Sequence, residues 1–385
     1  MKTLKRILLG FSGFLVIANL AIIISGRTYL YKGIANTYFK GRVSASIDEY
    51  IIFENREVKA GNHQKWHLGK DYNTKTISGN YLKTLEKYKT IAYLIIKNDS
   101  IRHEQYWEGY SENSYTNSFS MAKTIISILT GIAIDEGKIK SVNQPVGDFL
   151  EQYKEGEKAG ITVKHLLTMS SGINFDESYI NPFAFPAQAY HGTDLKKLVF
   201  NYKVVEKPGR IFKYLSGNTQ LLGFVLEEAT GMTVSEYASE KLWKPLEAKK
   251  SAWWSLDHKN GDEKAYCCFN SNVRDFARIG QLYLNKGKWN GNQIVPEYYV
   301  EQSVIPADII EKDGTKNKRY GYSWWLIDYN GHQMFYARGI LGQYIIVIPD
   351  EKMVVVRLGR KRAIRHIDKH PADVYAYIDM ALEMY

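Results

Sequence analysis

The sequence has little cysteine, and its cysteines form no pattern typical of a metal site. The two that are present, Cys267 and Cys268, are adjacent, whereas the ligand pairs of zinc sites are separated along the chain. Neighbouring cysteines seldom bridge each other. We therefore expect both to pack as small apolar side chains, to hold no metal and to say little about the redox compartment.

The signatures of several function classes are also missing. There is no Gly-x-Ser-x-Gly of the α/β-hydrolases, no Walker or dinucleotide fingerprint, no zinc-finger spacing and no basic–aromatic RNA motif. The net charge of +10 comes from dispersed lysines, and the densest basic run, residues 357–365, is expected to be a solvated loop. We therefore expect no cofactor and no nucleic-acid partner. Attraction to an anionic membrane or cell-wall surface is compatible with this charge.

What the sequence does have is a long apolar run near its start. Residues 7–26 carry no charge and follow Lys2, Lys5 and Arg6. The run is long enough to cross a hydrocarbon core and longer than the apolar region of a typical signal peptide. We predict that residues 1–26 form an uncleaved single-pass anchor in the cell membrane, with the body of the protein outside the cytoplasm. The alternative is a cleaved signal segment and a secreted or periplasmic protein.

The pattern after this segment predicts strands at both ends of the chain and helices between them. Residues 90–97 are typical of a strand that enters a hairpin, and residues 120–137 of a buried helix. Residues 140–315 contain several capped helices. The strand pattern returns over residues 321–359, around the Asn-Gly turn at 330 and 331, and residues 371–385 form a final amphipathic helix.

This order predicts an α/β (α+β) fold with one antiparallel sheet built from both chain ends and flanked by helices. A connector and N-terminal arm, residues 27–85, precede a main domain of residues 86–385. Within the main domain, residues 86–120 and 316–385 form a sheet lobe, and residues 121–315 form an inserted helical lobe. A cleft between the two lobes is the expected position of a functional site.

A serine and a lysine stand one helical turn apart where the buried helix begins. Ser120 and Lys123 lie at i and i+3 and hence on one face of a helix. A serine hydroxyl needs a base to become a nucleophile. The helix N-terminus favours a developing alkoxide, and together with burial it lowers the pKa of a lysine. The pair is thus either a nucleophile with its base or a surface cap.

Two further segments resolve this choice through a resemblance. Tyr214, Ser216 and Asn218 follow in a loop that runs into a helix, and residues 339–342 form a glycine loop between two strands. In this order the three motifs resemble those of the serine β-lactamase and penicillin-binding-protein superfamily. The chain is most similar to the class C-like branch, which includes 6-aminohexanoate-dimer hydrolases, bacterial esterases and D-alanyl-D-alanine carboxypeptidases. The resemblance extends from about residue 60 to the end and implies a β-lactamase/transpeptidase-like fold.

The resemblance also implies roles for individual residues. Ser120 would be the acyl-forming nucleophile and Lys123 its base or proton relay. Tyr214 would be a second base or acid, as a phenolate or as a proton shuttle, with Lys123 as the neighbouring cation that a phenolate needs. The backbone N–H groups of Ser120 and Ile340 would form the oxyanion hole, and Gly339 would let the strand edge approach the substrate. Ser216, Asn218 and Arg338 would contribute to substrate binding.

Two motifs depart from the pattern of the superfamily. The second motif, often Tyr-x-Asn, has Ser216 in its last position, and the third, usually Lys-Thr-Gly, has Ala337, Arg338 and Gly339. These changes favour ester or amide hydrolysis over β-lactam hydrolysis. We therefore expect a small ester or amide substrate, 6-aminohexanoate dimer being one example. A D-alanyl cell-wall peptide is second and a β-lactam third, and a non-catalytic binding or sensor module is the alternative of another class.

Overall fold

The structure of the protein, a computed structural model, describes residues 2–385. Its α-helices, α1 to α12 in chain order, are Lys2–Ile24, Tyr29–Asn36, Gly79–Lys87, Ala122–Asp135, Val163–Leu167, Phe185–His191, Leu195–Phe200, Ser216–Thr230, Val234–Ala238, Val273–Leu284, Glu297–Ser303 and Ala372–Met384. Its strands, β1 to β15, are Asn55–Val58, His67–Leu68, Thr90–Lys97, Ser100–Tyr106, Thr116–Asn117, Ala252–Ser255, Phe269–Ser271, Lys288–Trp289, Asn292–Gln293, Trp325–Tyr329, His332–Gly339, Gln343–Ile348, Met353–Gly359, His366–Ile367 and His370–Pro371.

The central sheet joins the two ends of the chain. Its seven strands have the order β10-β11-β12-β13-β3-β4-β2, and all neighbours are antiparallel except β2 and β4. The junction is the pairing of β3 with β13, in which Lys97 lies opposite Met353. The predicted hairpin, the C-terminal meander and the sheet built from both chain ends are therefore confirmed.

Both faces of this sheet are buried, so the molecule has a layer of helices on each side. On β12, Ile345 and Val347 pack toward α10, and Ile346 and Ile348 pack toward α12. Complete burial of such a side chain stabilises the fold by about 1.5–3 kcal/mol. This explains why residues 344–348 of β12 and 353–356 of β13 are uninterrupted apolar runs and do not alternate with polar residues. Gly280 brings α10 close, because a β-carbon there would lie 2.6 Å from the Val354 side chain.

A second, four-stranded sheet with the order β1-β6-β7-β5 stands beside the candidate nucleophile. Strand β5 ends at Asn117, and the next backbone N–H, that of Ser118, donates to the Phe269 carbonyl at 2.9 Å. The connector also supplies strands, since β1 pairs with β6 and β2 pairs with β4. The candidate nucleophile is thus held between the two sheets.

The two cysteines differ from the expectation. Cys267 and Cys268 are both buried and are joined by a disulfide, so the prediction that neighbouring cysteines stay unpaired is wrong. Cys268 has a φ of 66°, and this left-handed conformation turns the chain sharply within the pair. Composition and spacing do not reveal such a turn.

Helix α1 is long and apolar enough to cross a membrane. Its span Thr3–Ile24 has a mean hydropathy of 2.6, and none of its most apolar stretch is buried against the rest of the protein. An apolar helix near the N-terminus is typical of a signal anchor and equally of a signal peptide. The sequence prediction agrees with this coarser description, and α2 follows after a short turn.

Candidate active site

Ser120 stands on a tight turn at the start of α4. The chain leaves β5, forms the short 3₁₀ turn Phe119–Met121 and continues as α4. Phe119 has a φ of 45°, a conformation that costs about 1–3 kcal/mol for a residue other than glycine. Asn117 holds it there, because its Oδ1 accepts the Phe119 N–H at 2.8 Å. The helix that follows is almost wholly buried, whereas Ser120 is half-buried and accessible.

Lys123 is the candidate base for Ser120. Its Nζ lies 3.1 Å from Ser120 Oγ and donates to the Tyr266 carbonyl at 2.8 Å. The side chain is 1% exposed. Burial lowers its pKa from 10.5 to about 8, against a smaller opposite effect of the Glu177 carboxylate. The lowered pKa makes the neutral amine accessible near neutral pH, and that amine can accept the serine proton.

Tyr214 completes the group. Lys123 Nζ lies 5.2 Å from the centre of its ring, and the Tyr214 hydroxyl is close enough to the Ser120 side chain for that side chain to influence its pKa. Burial raises the pKa of Tyr214 to about 12, and the contact with Ser120 and the charge of Arg338 offset only part of this. The phenol is therefore protonated at neutral pH. A protonated phenol favours the proton-shuttle alternative over a phenolate.

Ser216 is held by a carboxylate that the sequence analysis missed. Glu177 Oε2 accepts the backbone N–H of Ser216 at 2.7 Å, and Glu177 Oε1 accepts its hydroxyl at 2.5 Å. The Tyr179 hydroxyl also donates to Glu177 Oε1, at 2.8 Å. The loop of residues 176–183 is thereby fastened beside Tyr214. No motif marks Glu177, since its position depends on how this loop folds.

Asn218, predicted to bind substrate, has its hydrogen-bond partners inside the protein. It is fully buried. Its Oδ1 accepts from the Ser171 hydroxyl at 2.6 Å, and its Nδ2 approaches the Met169 sulfur at 3.6 Å. The structure thus places Asn218 behind the site, where it connects α8 to the segment that follows α5.

Arg338 lies on the Tyr214 side of the site. Its guanidinium carbon is 3.6 Å from the centre of the Trp325 ring, and that ring lies 5.2 Å from the Tyr214 ring. Within residues 2–385 its Nη1 has no hydrogen-bond partner. This Nη1 is a buried atom, so the third motif keeps a cation packed on Trp325 beside Tyr214, and a carboxylate is the group that a guanidinium binds best.

The glycine loop approaches the nucleophile turn closely. A β-carbon on Gly339 would collide with the Ser118 carbonyl oxygen, so only glycine allows the end of β11 to reach this turn. The short turn Ile340–Gly342 follows, with Leu341 at a φ of 61°. Beneath it the buried Arg357 donates through Nη1 to the Gly342 carbonyl at 2.7 Å and to the Leu341 carbonyl at 3.2 Å.

The structure thus brings together most of the residues that the sequence singled out. Ser120, Lys123 and Tyr214 are in contact, and Arg338 and Gly339 lie at the edge of the same group. A cavity of about 300 Å³ lined by residues such as Trp66 and Trp289 includes none of them. Across residues 2–385, no group of three or more His, Cys, Asp or Glu side chains is arranged to hold a metal ion.

Comparisons with known proteins agree with this geometry. A family model described as Beta-lactamase matches residues 80–369. The 6-aminohexanoate-dimer hydrolase of Paenarthrobacter ureafaciens is 25% identical over 292 residues, which cover 71% of this chain and 73% of that protein. The structure of a Bacillus anthracis protein provisionally assigned as a 6-aminohexanoate-dimer hydrolase has a TM-score of 0.73 and 22% identity, and covers 86% of this chain and 90% of its own. The structure of a family VIII carboxylesterase has a TM-score of 0.62 and 14% identity, and the match covers 83% of this chain and 99% of the carboxylesterase. The two structures share the fold.

Proposed function

The chain belongs to the beta-lactamase family of serine hydrolases, and from this premise we propose that it cleaves a small ester or amide through an acyl-enzyme on Ser120. One observation carries the proposal. Lys123 is 1% exposed, and its amine has a pKa of about 8 and lies 3.1 Å from Ser120 Oγ. A purely structural surface cap would need neither the burial nor the lowered pKa.

In the first half-reaction the acyl group moves to the serine. Ser120 Oγ forms a bond to the substrate carbonyl carbon while its proton moves to Lys123 Nζ. The negative charge on the carbonyl oxygen is stabilised by the N–H groups of Ser120 and Ile340. The tetrahedral intermediate then collapses, the C–O or C–N bond breaks, and the leaving alcohol or amine receives a proton from Lys123 through the Tyr214 hydroxyl.

In the second half-reaction water replaces the leaving group. Lys123 and Tyr214 take a proton from water, whose oxygen attacks the acyl carbon. The bond to Ser120 Oγ breaks, and the proton returns to that oxygen. The products are a carboxylic acid and an alcohol or amine, and no cofactor takes part in the cycle.

The substrate class is proposed from the third motif and from the relatives. The position of the usual lysine in this motif holds Ala337, and Arg338 next to it supplies a cation instead. The similar proteins include an enzyme named for 6-aminohexanoate dimer and a carboxylesterase. These observations favour a small ester or a linear amide such as that dimer.

A D-alanyl-D-alanine peptide of the cell wall is the second candidate. One observation favours it, the positive charge of Arg338 close to Tyr214, because such peptides end in a carboxylate. A β-lactam, which in this family also carries a carboxylate, ranks third. A non-catalytic sensor would need only the cleft. It would not need a lysine whose pKa is lowered and whose amine contacts a serine hydroxyl.

We also propose that α1 anchors the protein in the cell membrane and that the catalytic body lies outside the cytoplasm. Support comes from its length and mean hydropathy of 2.6 over Thr3–Ile24. A secreted or periplasmic protein, left after cleavage, is the alternative. Mass spectrometry of the mature N-terminus distinguishes the two.

The experiment that tests the function is intact-mass spectrometry after exposure to a fluorophosphonate. The full chain in detergent should gain one adduct, and Ser120→Ala should gain none. Hydrolysis of p-nitrophenyl esters, amide dimers, D-alanyl peptides and a chromogenic β-lactam then ranks the substrate classes. An adduct that persists in Ser120→Ala would refute the nucleophile assignment, and no adduct on the folded parent with a fluorophosphonate of any size would favour a binding role.

A further inference from the structure

The loop that carries Glu177 has an unusually apolar outer surface. Ile180 is 96% exposed, Tyr179 55% and Phe183 48%. Isolated exposed apolar residues are common on soluble proteins, but three within five positions need a reason. We call these three side chains the apolar rim.

The apolar rim lies against the residues that directly follow α1. The guanidinium of Arg27 stacks 4.7 Å from the centre of the Phe183 ring. The Tyr29 hydroxyl donates to the Pro182 carbonyl at 3.0 Å. Because α1 ends at Ile24, these contacts come within five residues of its end. The loop is therefore fixed next to the anchor.

The other end of the same loop reaches the active site. Glu177 accepts both hydrogen bonds from Ser216, two residues after Tyr214. From Glu177 to Pro182 the chain can span at most about 18 Å even when fully extended. Glu177 therefore lies within about 18 Å of Pro182, which contacts the segment that follows α1. If α1 spans a bilayer, the active site lies near the headgroup region of that bilayer.

The connector beside the apolar rim has the features of a membrane surface segment. It carries Arg27, Lys32, Lys40 and Arg42 within one short stretch, and such basic clusters are attracted to anionic headgroups. The Tyr31 hydroxyl donates to Asn19 Oδ1 of α1 at 2.8 Å. Helix α2 therefore turns back beside α1 and does not lead away from it, as expected for a helix that lies in the interface.

We propose that the apolar rim rests in the headgroup region of the membrane that holds α1, and that the substrate is an ester or amide with a long acyl tail dissolved in that membrane. This inference rests on the proposed function and narrows its substrate class. A tailed substrate would diffuse laterally to the loop, keep its tail in the bilayer and present its carbonyl to Ser120. The bond changes are those of the two half-reactions above, with a fatty acid and an alcohol or amine as products.

The test compares two esters that share one leaving group. The full chain is reconstituted in vesicles of phosphatidylcholine and phosphatidylglycerol. It is assayed with p-nitrophenyl butyrate in the water and with p-nitrophenyl palmitate in the vesicles. Ile180→Asp should lower kcat/KM for the palmitate about tenfold or more. The reason is that a charge in place of an apolar side chain in the headgroup region weakens docking of the loop on the membrane. It should leave the butyrate rate within about twofold, since Ile180 contacts no catalytic group.

A matched control is Leu68→Asp. Leu68 is 53% exposed and lies on β2, an edge strand of the central sheet, so both rates should stay as in the parent. As a second measurement, Ile180→Cys labelled with bimane should be quenched by spin-labelled lipid, and Leu68→Cys labelled in the same way should not.

The outcomes separate the inference from the proposed function. Equal losses on both esters in Ile180→Asp would mean that the loop shapes the site and does not dock on lipid. Unchanged palmitate hydrolysis together with an unquenched Ile180 label would overturn the inference. If the parent hydrolyses neither ester and gains no fluorophosphonate adduct, the proposed function fails, and the quenching experiment still decides whether the apolar rim touches the bilayer.

Discussion

The carboxylate of Glu177 accepts two hydrogen bonds from Ser216, one from its backbone N–H at 2.7 Å and one from its hydroxyl at 2.5 Å. A single side chain thereby connects the loop of residues 176–183 to the segment that carries Tyr214. The same carboxylate also raises the pKa of Lys123 against the larger effect of burial. Glu177 thus influences both the shape and the protonation of the site.

Glu177→Gln should alter the site in two measurable ways. The neutral amide has only one oxygen to accept the two Ser216 donors, and it no longer favours the charged form of Lys123. We expect a lower kcat and a shift of the rising limb of the kcat/KM profile to lower pH. Asp176→Asn is the matched control, because it removes an equal charge from the neighbouring, exposed position. A rising limb unchanged from the parent would show that Glu177 has no electrostatic role.

The pH dependence of the parent should report Lys123. Its pKa is lowered to about 8, so the neutral base is scarce below that pH and predominates above it. With a water-soluble ester, kcat/KM should rise with pH and level off above an apparent pKa of about 8. It should not fall before about pH 10, because the pKa of Tyr214 is raised to about 12.

Lys264 offers a control for this profile. Burial lowers its pKa to about 7, and its Nζ donates to the Ala189 carbonyl at 3.1 Å, apart from Ser120. In Lys264→Met the rising limb should stay at about 8. If the rising limb disappears in this variant, the titration belongs to Lys264 and not to Lys123. A flat profile in the parent would argue against a lysine base.

Tyr214→Phe should slow turnover by about 10²–10⁴-fold if the hydroxyl transfers protons. The fold should be unaffected, because the ring keeps its packing against Trp325. Tyr320→Phe is the control, since Tyr320 packs 5.9 Å from the Tyr214 ring and takes no part in the proposed chemistry. A turnover rate equal to that of the parent would assign Tyr214 to packing.

Arg357→Met should both destabilise the protein and loosen the glycine loop. The buried guanidinium donates to the carbonyls of Gly342, at 2.7 Å, and Tyr88, at 2.6 Å. Each carbonyl left unpaired costs about 1–3 kcal/mol, so we expect a loss of at least about 2 kcal/mol in urea unfolding. At a temperature where the variant is folded, kcat should still fall, because Ile340 loses its support. A destabilised variant with the kcat of the parent would limit Arg357 to stability.

Much of the sheet could be predicted because local signals and packing agree there. Asn330 and Gly331 both have positive φ, 50° and 81°, as the two-residue hairpin turn requires. The apolar runs on either side then have only one register that keeps both faces buried. Ser120 and Lys123 were found for a similar reason, since a spacing of three residues on one helix is itself geometric.

The remaining site residues depend on contacts between distant parts of the chain. Glu177 meets Ser216 across 39 positions, and the carbonyl of Tyr266 meets Lys123 across 143. Arg357 was expected in a solvated loop but is fully buried, because β13 continues to Gly359 and carries Arg357 under the glycine loop. No local pattern distinguishes a buried arginine from an exposed one.

The pairing of β3 with β13 has a consequence for how the protein is made. Lys97 and Met353 lie opposite each other but are about 250 residues apart in the chain, so closing this contact carries a high entropic cost and is slow. At a synthesis rate of about 5–20 residues per second, β13 leaves the ribosome about 10–50 s after β3. During that interval the central sheet lacks its middle strand, β13, which also carries the Arg357 that supports the glycine loop. The central sheet and the glycine loop beside Ser120 are therefore completed only after the last strands have left the ribosome.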